Sequence, residues 1–185
     1  MPHIGNVFLI GFSGSGKSTI GPLLAGVLKV KFLDTDSLIE KRNGKTITEI
    51  FRDNGESEFR RLEREIIATV AKDDDNTKVI ALGGGAFQSS ENRKIIRSCG
   101  IVIYLSCSVR EIYRRLRNMD NRPLLSSFRR RNRFTGREAM MRRISNLLDK
   151  RKKTYNLADI RLSTTFRTTQ EIVDCLNERI LRCYA

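Results

Sequence analysis

The sequence predicts an α/β fold in three layers, a parallel sheet of five strands flanked by helices. Two observations predict it. Five short runs rich in Val, Ile, Leu and Phe alternate with longer stretches whose apolar residues recur at helical spacing. The first run also leads straight into Gly11-Phe12-Ser13-Gly14-Ser15-Gly16-Lys17-Ser18, a loop pattern whose chemistry needs a strand before it and a helix after it. Strand, helix and strand in repeated order argue for a parallel sheet, because parallel neighbours need a crossover and a helix supplies it.

The five runs are Val7–Ile10, Lys31–Leu33, Val79–Leu82, Ile101–Leu105 and Ile160–Leu162. Their apolar character suits strands covered on both faces. Residues 17–28 place Ile20, Leu23, Leu24, Val27 and Leu28 at helical spacing. Residues 56–71 do so with Phe59, Leu62, Ile66, Ile67 and Val70, and residues 108–118 and 168–183 look similar. Two polar stretches interrupt the alternation. Lys72–Thr77 reads as an Asp-rich loop. Residues 118–137 are Arg-rich and open with Asn118-Met119-Asp120-Asn121-Arg122-Pro123, a candidate lid. No internal repeat and no Pro/Gly/Ser linker divides the chain, so its 185 residues read as one domain, 1–185.

Composition narrows the function. No apolar run approaches bilayer length and no signal peptide precedes Val7, so a soluble cytoplasmic protein is expected. The cysteines, Cys99, Cys107, Cys175 and Cys183, form no C-x-x-C pair, and His3 is the single histidine, which argues against a zinc site. The net charge is +14, from 35 Lys+Arg against 21 Asp+Glu. Such a balance suits anionic ligands. Much of the surplus falls on Arg129, Arg130, Arg131, Arg133 and Arg137. That run reads either as a solvated lid extension or as a docking patch for an acidic partner or for nucleic acid. With only Phe128 and Phe134 beside it, single-stranded nucleic acid is not expected.

Residues 11–18 match G-x-x-x-x-G-K-[ST], the P-loop pattern. Glycines let backbone N–H groups converge on phosphate oxygens, and the following helix adds its positive end. Lys17 would reach the outer phosphates and Ser18 a Mg²⁺ ion. Glycine at position 19 would be needed for the dinucleotide pattern, and Thr19 stands there. The second run ends in Leu33-Asp34-Thr35-Asp36. Two carboxylates at a strand's carboxyl end can divide metal binding and acceptor binding between them, and either can instead cap the next helix. Glu58-Phe59-Arg60-Arg61-Leu62-Glu63 puts Arg60 and Glu63 three apart on a helix surface. Gly83-Gly84-Gly85 after the third run suits either a close backbone approach or a tight turn.

With these pieces in order, the chain closely resembles shikimate kinases. The matching stretches are GSGKST (14–19), LDTD (33–36), EFRRLE (58–63), LGGGA (82–86), RPLL (122–125) and KRKKTYNLAD (150–159). The resemblance implies a P-loop kinase of the nucleoside-monophosphate-kinase type, monomeric, that phosphorylates the 3-hydroxyl of shikimate with ATP. It places Gly14, Ser15, Gly16, Lys17, Ser18, Thr19, Arg115, Arg122 and Arg167 around ATP. It puts Ser18 and Asp34 on Mg²⁺, and Asp36, Arg60, Gly83, Gly84, Gly85 and Arg151 around shikimate. Glu63 is implied as the partner fixing Arg60, and Lys17, Asp36 and Arg122 as catalytic. A substrate-binding helical region around 35–64 and a lid around 118–137 complete it. The chain departs from the family where the stretch between Arg122 and Arg151 is several residues longer than usual and where Thr168-Thr169 replaces a proline near the adenine loop; Ala81 and Leu82 leave no Asp before the glycines, an absence common in the family too. The rivals are a gluconate or nucleotide kinase on the same fold, and a non-catalytic nucleotide- or nucleic-acid-binding relative.

Overall fold

The computed structural model describes residues 5–72, 77–117 and 135–184. Its five strands are β1 (Asn6–Ile10), β2 (Lys31–Asp34), β3 (Lys78–Ala81), β4 (Gly100–Ser106) and β5 (Ile160–Ser163). They form one sheet in the order β2-β3-β1-β4-β5, and every pairing is parallel. Val7 pairs with Val79 on one side and Ile101 on the other, which makes β1 central and buries all of it. Each strand falls on one of the five apolar runs.

Alternation along β1 divides the core. Val7 and Leu9 point to a layer with α1 (Lys17–Leu28) and α7 (Thr169–Cys183), through Ile20, Leu24, Ile172 and Leu176. Phe8 and Ile10 point to the opposite layer, built on Ile39, Phe59, Ile67, Phe87 and Ile96. That layer contains α2 (Thr35–Asn43), α3 (Ile47–Lys72) and α4 (Ser90–Cys99). A third cluster, Phe12, Ile112, Leu116 and Ile144, joins the phosphate loop to α5 (Val109–Leu116) and α6 (Thr135–Tyr155).

Two helical features differ from the sequence reading. The helix expected at 56–71 is the second half of α3, which starts at Ile47 and is broken at Gly55 (φ 81°, ψ 174°). The break redirects the chain, so that Glu56, Arg60 and Glu63 run along the site. In addition, α2, α4 and α6 had no periodic signal of their own. Only Thr35 and Ile39 are buried in α2, and only Asn92 and Ile96 in α4. Two buried positions per helix leave too little pattern to read. The Arg-rich stretch 118–137 falls outside the described residues up to position 134, and its last residues belong to α6.

Candidate active site

The phosphate loop closes on itself. Gly14 and Gly16 adopt φ of 80° and 105°, a region other residues enter at a cost of about 1 kcal/mol. Ser15 N–H donates to Phe12 O at 3.0 Å, and α1 begins at Lys17. Lys17 is nearly buried, and its ammonium donates to Gly11 O at 2.9 Å and Phe12 O at 3.2 Å. Ser18 and Thr19 are exposed at the first turn of α1. From outside, Arg115 braces the loop, donating to Gly14 O at 3.0 Å, Thr164 O at 3.3 Å and Glu111 at 2.8 Å. The Thr164 hydroxyl donates to Ser15 O at 3.0 Å. Hydrogen bonds to Arg114 and Arg115 hold the Glu111 carboxyl down at about 2. Arg115 thus holds the loop's shape.

Asp34 caps a helix, one of the alternatives the sequence left open, and also meets Ser18. One oxygen caps α2, accepting from Asp36 N–H at 3.0 Å and Ser37 N–H at 3.4 Å. The other accepts from the Ser18 hydroxyl at 2.8 Å. A hydroxyl and a carboxylate side by side are hard oxygen donors, the type a hydrated Mg²⁺ takes. Thr35, fully buried, ties this strand end to the glycines. Its hydroxyl donates to Ala81 O at 3.2 Å and accepts from Gly83 N–H at 3.1 Å.

None of the three glycines lies in the left-handed region, so backbone conformation does not require them. At Gly83 and Gly85, space does. A Cβ on Gly83 would lie 2.7 Å from Asp36 Oδ1 and 2.8 Å from Glu63 Oε1. On Gly85 it would lie 2.7 Å from Arg60 Nη2, and on Gly84 3.5 Å from Arg151 Nη1. Asp36, Glu63, Arg60 and Arg151 therefore converge on three consecutive residues, a span of about 7 Å. Beside them opens a pocket of about 430 Å³ whose wall includes Arg60, Glu63, Gly85 and Arg151.

The charges are fixed in place. Arg60 donates to Glu63 at 2.8 Å and to Glu56 at 3.1 and 3.3 Å. Burial pushes the Glu63 carboxyl up, with Arg60 opposing. Burial also works against the Arg60 charge, but Glu63 and Glu56 outweigh it and hold the guanidinium protonated. Arg151 donates to Gly84 O at 2.9 Å and lies 5.6 Å above the Phe12 ring, which links the acceptor side to the phosphate loop. The Tyr155 hydroxyl donates to the same carbonyl at 2.5 Å, and its burial raises its pKa to about 12.

Most of the residues singled out in sequence thus meet around one space. Arg167 does not join them: it is exposed at the start of α7 near Glu171, and among the described residues no hydrogen bond or ion pair ties it to the loop. Arg122 lies outside the described residues. Sequence reasoning missed Thr35, Glu56, Phe12 and Tyr155 as positioning residues. Glu56 carried a signal, four residues before Arg60 on one helix face. Phe12 sits at a position the loop pattern leaves free, and the sequence alone gives no reason for Tyr155 to reach Gly84.

A parallel sheet with a phosphate loop at the end of its central strand, facing an acid-and-arginine pocket, defines a P-loop kinase. The family model described as "Shikimate kinase" matches residues 13–181, and the chain belongs to that family. A shikimate kinase of Chlorobium limicola is 40% identical over 182 residues, covering 98% of this chain and 89% of that protein. One of Persephonella marina is 41% identical over 175 residues, covering 95% and 98%. Among solved structures, the shikimate kinase of Acinetobacter baumannii in complex with shikimate superposes with a TM-score of 0.86 at 31% identity, covering 97% and 94%.

Proposed function

We propose that this protein is a cytoplasmic, monomeric, Mg²⁺-dependent shikimate kinase, moving the γ-phosphoryl group of ATP to the 3-hydroxyl of shikimate in chorismate biosynthesis. The observation that carries the reading is the convergence of Asp36, Arg60 and Arg151 on Gly83–Gly85 beside the phosphate loop. Shikimate offers a carboxylate and ring hydroxyls. Guanidinium forks match the first, and a carboxylate can orient and deprotonate the second. Ser18 and Asp34 would hold Mg²⁺, which neutralises phosphate charge when bound. Lys17 exchanges its loop carbonyls for phosphate oxygens, and the loop amides from Gly14 to Thr19 cradle them. By resemblance, Arg115 and Arg167 would line the base. Arg122, by resemblance, compensates charge on the moving phosphoryl group. The chain acts as one domain, with 35–64 forming the acceptor wall. Among the described residues no helix is long and apolar enough to cross a membrane.

The test is ADP release with shikimate, gluconate, AMP or no acceptor, with and without Mg²⁺. Shikimate-dependent turnover is expected, with kcat falling about 100-fold or more in Asp36→Asn and Lys17→Ala. Turnover with AMP or gluconate and none with shikimate would refute the reading.

A further inference from the structure

Arg60 lines the pocket beside Gly85 with its fork already occupied. Glu56, Glu63, Gly85 and Arg151 share that wall with it. One flat face of the guanidinium is covered. A Cβ on Gly85 would be nearly equidistant from Nη2, Nη1 and Cζ, at 2.7, 2.9 and 3.1 Å, so the glycine lies against the plane. A carboxylate must therefore meet Arg60 at an edge. Nη1 donates to Glu63, whose side chain is 1% exposed, and vacating that contact would strand a buried charge. Nε and Nη2 form the side edge, and both donate to Glu56, whose side chain is 61% exposed.

The contact with Glu56 is the poorer of the two. Both donors share one oxygen, Oε1, at 3.3 Å from Nε and 3.1 Å from Nη2. Elsewhere in the chain the same edge is served by two oxygens. Arg61 donates from Nε to Glu58 Oε2 at 2.9 Å and from Nη2 to Oε1 at 2.6 Å. Arg114 donates in the same way to Glu111, at 2.8 and 2.7 Å. Charge-assisted bonds of this kind usually run about 2.7–2.9 Å, so the side edge of Arg60 is held loosely. Glu56 is also easy to move. It is the first residue after the break at Gly55, and an exposed ion pair contributes little to stability. Arg151 donates to Gly84 O and, among the described residues, makes no ion pair. With Glu56 turned to solvent, Arg60, Arg151 and Glu63 leave one positive charge in excess on the wall, which a carboxylate guest would match.

Resting on the function proposed above, we infer that Glu56 is a placeholder for the acceptor carboxylate. It positions Arg60 only until the acceptor arrives. The acceptor then displaces it and gives the side edge two oxygens in place of one. Glu56 thereby sets acceptor affinity and takes no part in the transfer step. An acceptor without a carboxylate has no charge with which to displace it, so the contact discriminates acids from neutral polyols.

The experiment measures steady-state kinetics of the full chain against varied shikimate and varied ATP, for wild type, Glu56→Gln and Glu56→Ala. Thermal melts with and without saturating shikimate accompany it. Both substitutions remove the competing charge. KM for shikimate is expected to fall about threefold, the scale of an exposed ion pair, with kcat and KM for ATP within about twofold. A group that leaves on binding stabilises only the empty protein. The melting gap between each variant and wild type should therefore narrow by about 2 °C when shikimate is added. A residue that holds Arg60 in place throughout the cycle gives the opposite result in both measurements. KM for shikimate unchanged or raised in either variant, or a melting gap that stays or widens, overturns the inference. Wild-type protein that does not turn over shikimate refutes the proposed function itself, whereas wild-type turnover with KM unchanged or raised in the variants refutes only this role.

Discussion

Replacing Gly85 by alanine tests whether the glycine run exists to make room for the arginine clamp. Gly85 has φ −108° and ψ −11°, which alanine adopts freely. Any effect must therefore come from the added methyl group. That methyl would stand 2.7 Å from Arg60 Nη2, 2.9 Å from Nη1 and 3.1 Å from Cζ. Comfortable contact is about 3.5 Å or more, so the guanidinium must retreat by about 0.5–1 Å. It cannot do so without lengthening the 2.8 Å bond to Glu63, whose side chain is 1% exposed. Overpacking of this kind is destabilising by about 1–3 kcal/mol, and the stiffer unfolded chain returns about 0.4–1. The net loss is on the order of 1 kcal/mol, a Tm drop of about 2–4 °C for a chain of this size. Function should suffer more. A misplaced carboxylate fork is expected to raise acceptor KM at least tenfold, since displacements of about 1 Å can cost 10²-fold in activity. Gly84→Ala supplies the comparison: its Cβ would meet Ser13 N, Arg151 Nη1 and Gly11 O at 3.4–3.6 Å, ordinary contacts. The assay is ADP release against varied shikimate and varied ATP, with thermal melts alongside. An acceptor KM in Gly85→Ala within twofold of wild type, or equal losses in the two variants, would refute the spatial argument.

Two further predictions concern stability. Tyr155→Phe removes the 2.5 Å bond to Gly84 O while Arg151 still serves that carbonyl, so a loss of about 1 kcal/mol is expected at neutral pH. The native phenol titrates at about 12 against an ordinary 10.0, so the folded state binds more protons across that interval. Stability is thus insensitive to this group below pH 10 and falls as pH rises toward 12, and chemical denaturation should show the wild-type advantage over Tyr155→Phe vanishing there. Lys29, the C-cap of α1, sits exposed at φ 56°, and Lys29→Gly should relieve that strain. A gain of about 0.5 kcal/mol in thermal or urea melts, with kinetics unchanged, is the expected outcome; a loss would mean that the side chain contributes more than the left-handed backbone costs.

The sequence by itself determined the sheet and the phosphate loop. β1 and β3, buried on both faces, leave continuous apolar runs, and the partly covered edge strands β2 and β5 still carry short ones, so all five were legible, and α1 has the bounds its periodicity indicated. The loop's glycines, lysine and serine are adjacent in the chain, so their chemistry could be read locally. Tertiary structure decided what depends on distant partners. What Asp34 does was undecidable in sequence; one oxygen caps α2 and the other accepts from Ser18, because α1 brings Ser18 against it. The purpose of the glycine run was equally hidden: none of its φ values is left-handed, and at Gly83 and Gly85 the need for glycine arises from side chains of α2 and α3 packed over them. Nothing local marks Tyr155 or Phe12 as positioning residues, and only folding places one on Gly84 O and the other under Arg151. Local pattern records periodicity and backbone demand, whereas the placing of side chains from separate helices over one turn leaves no periodic trace in the chain.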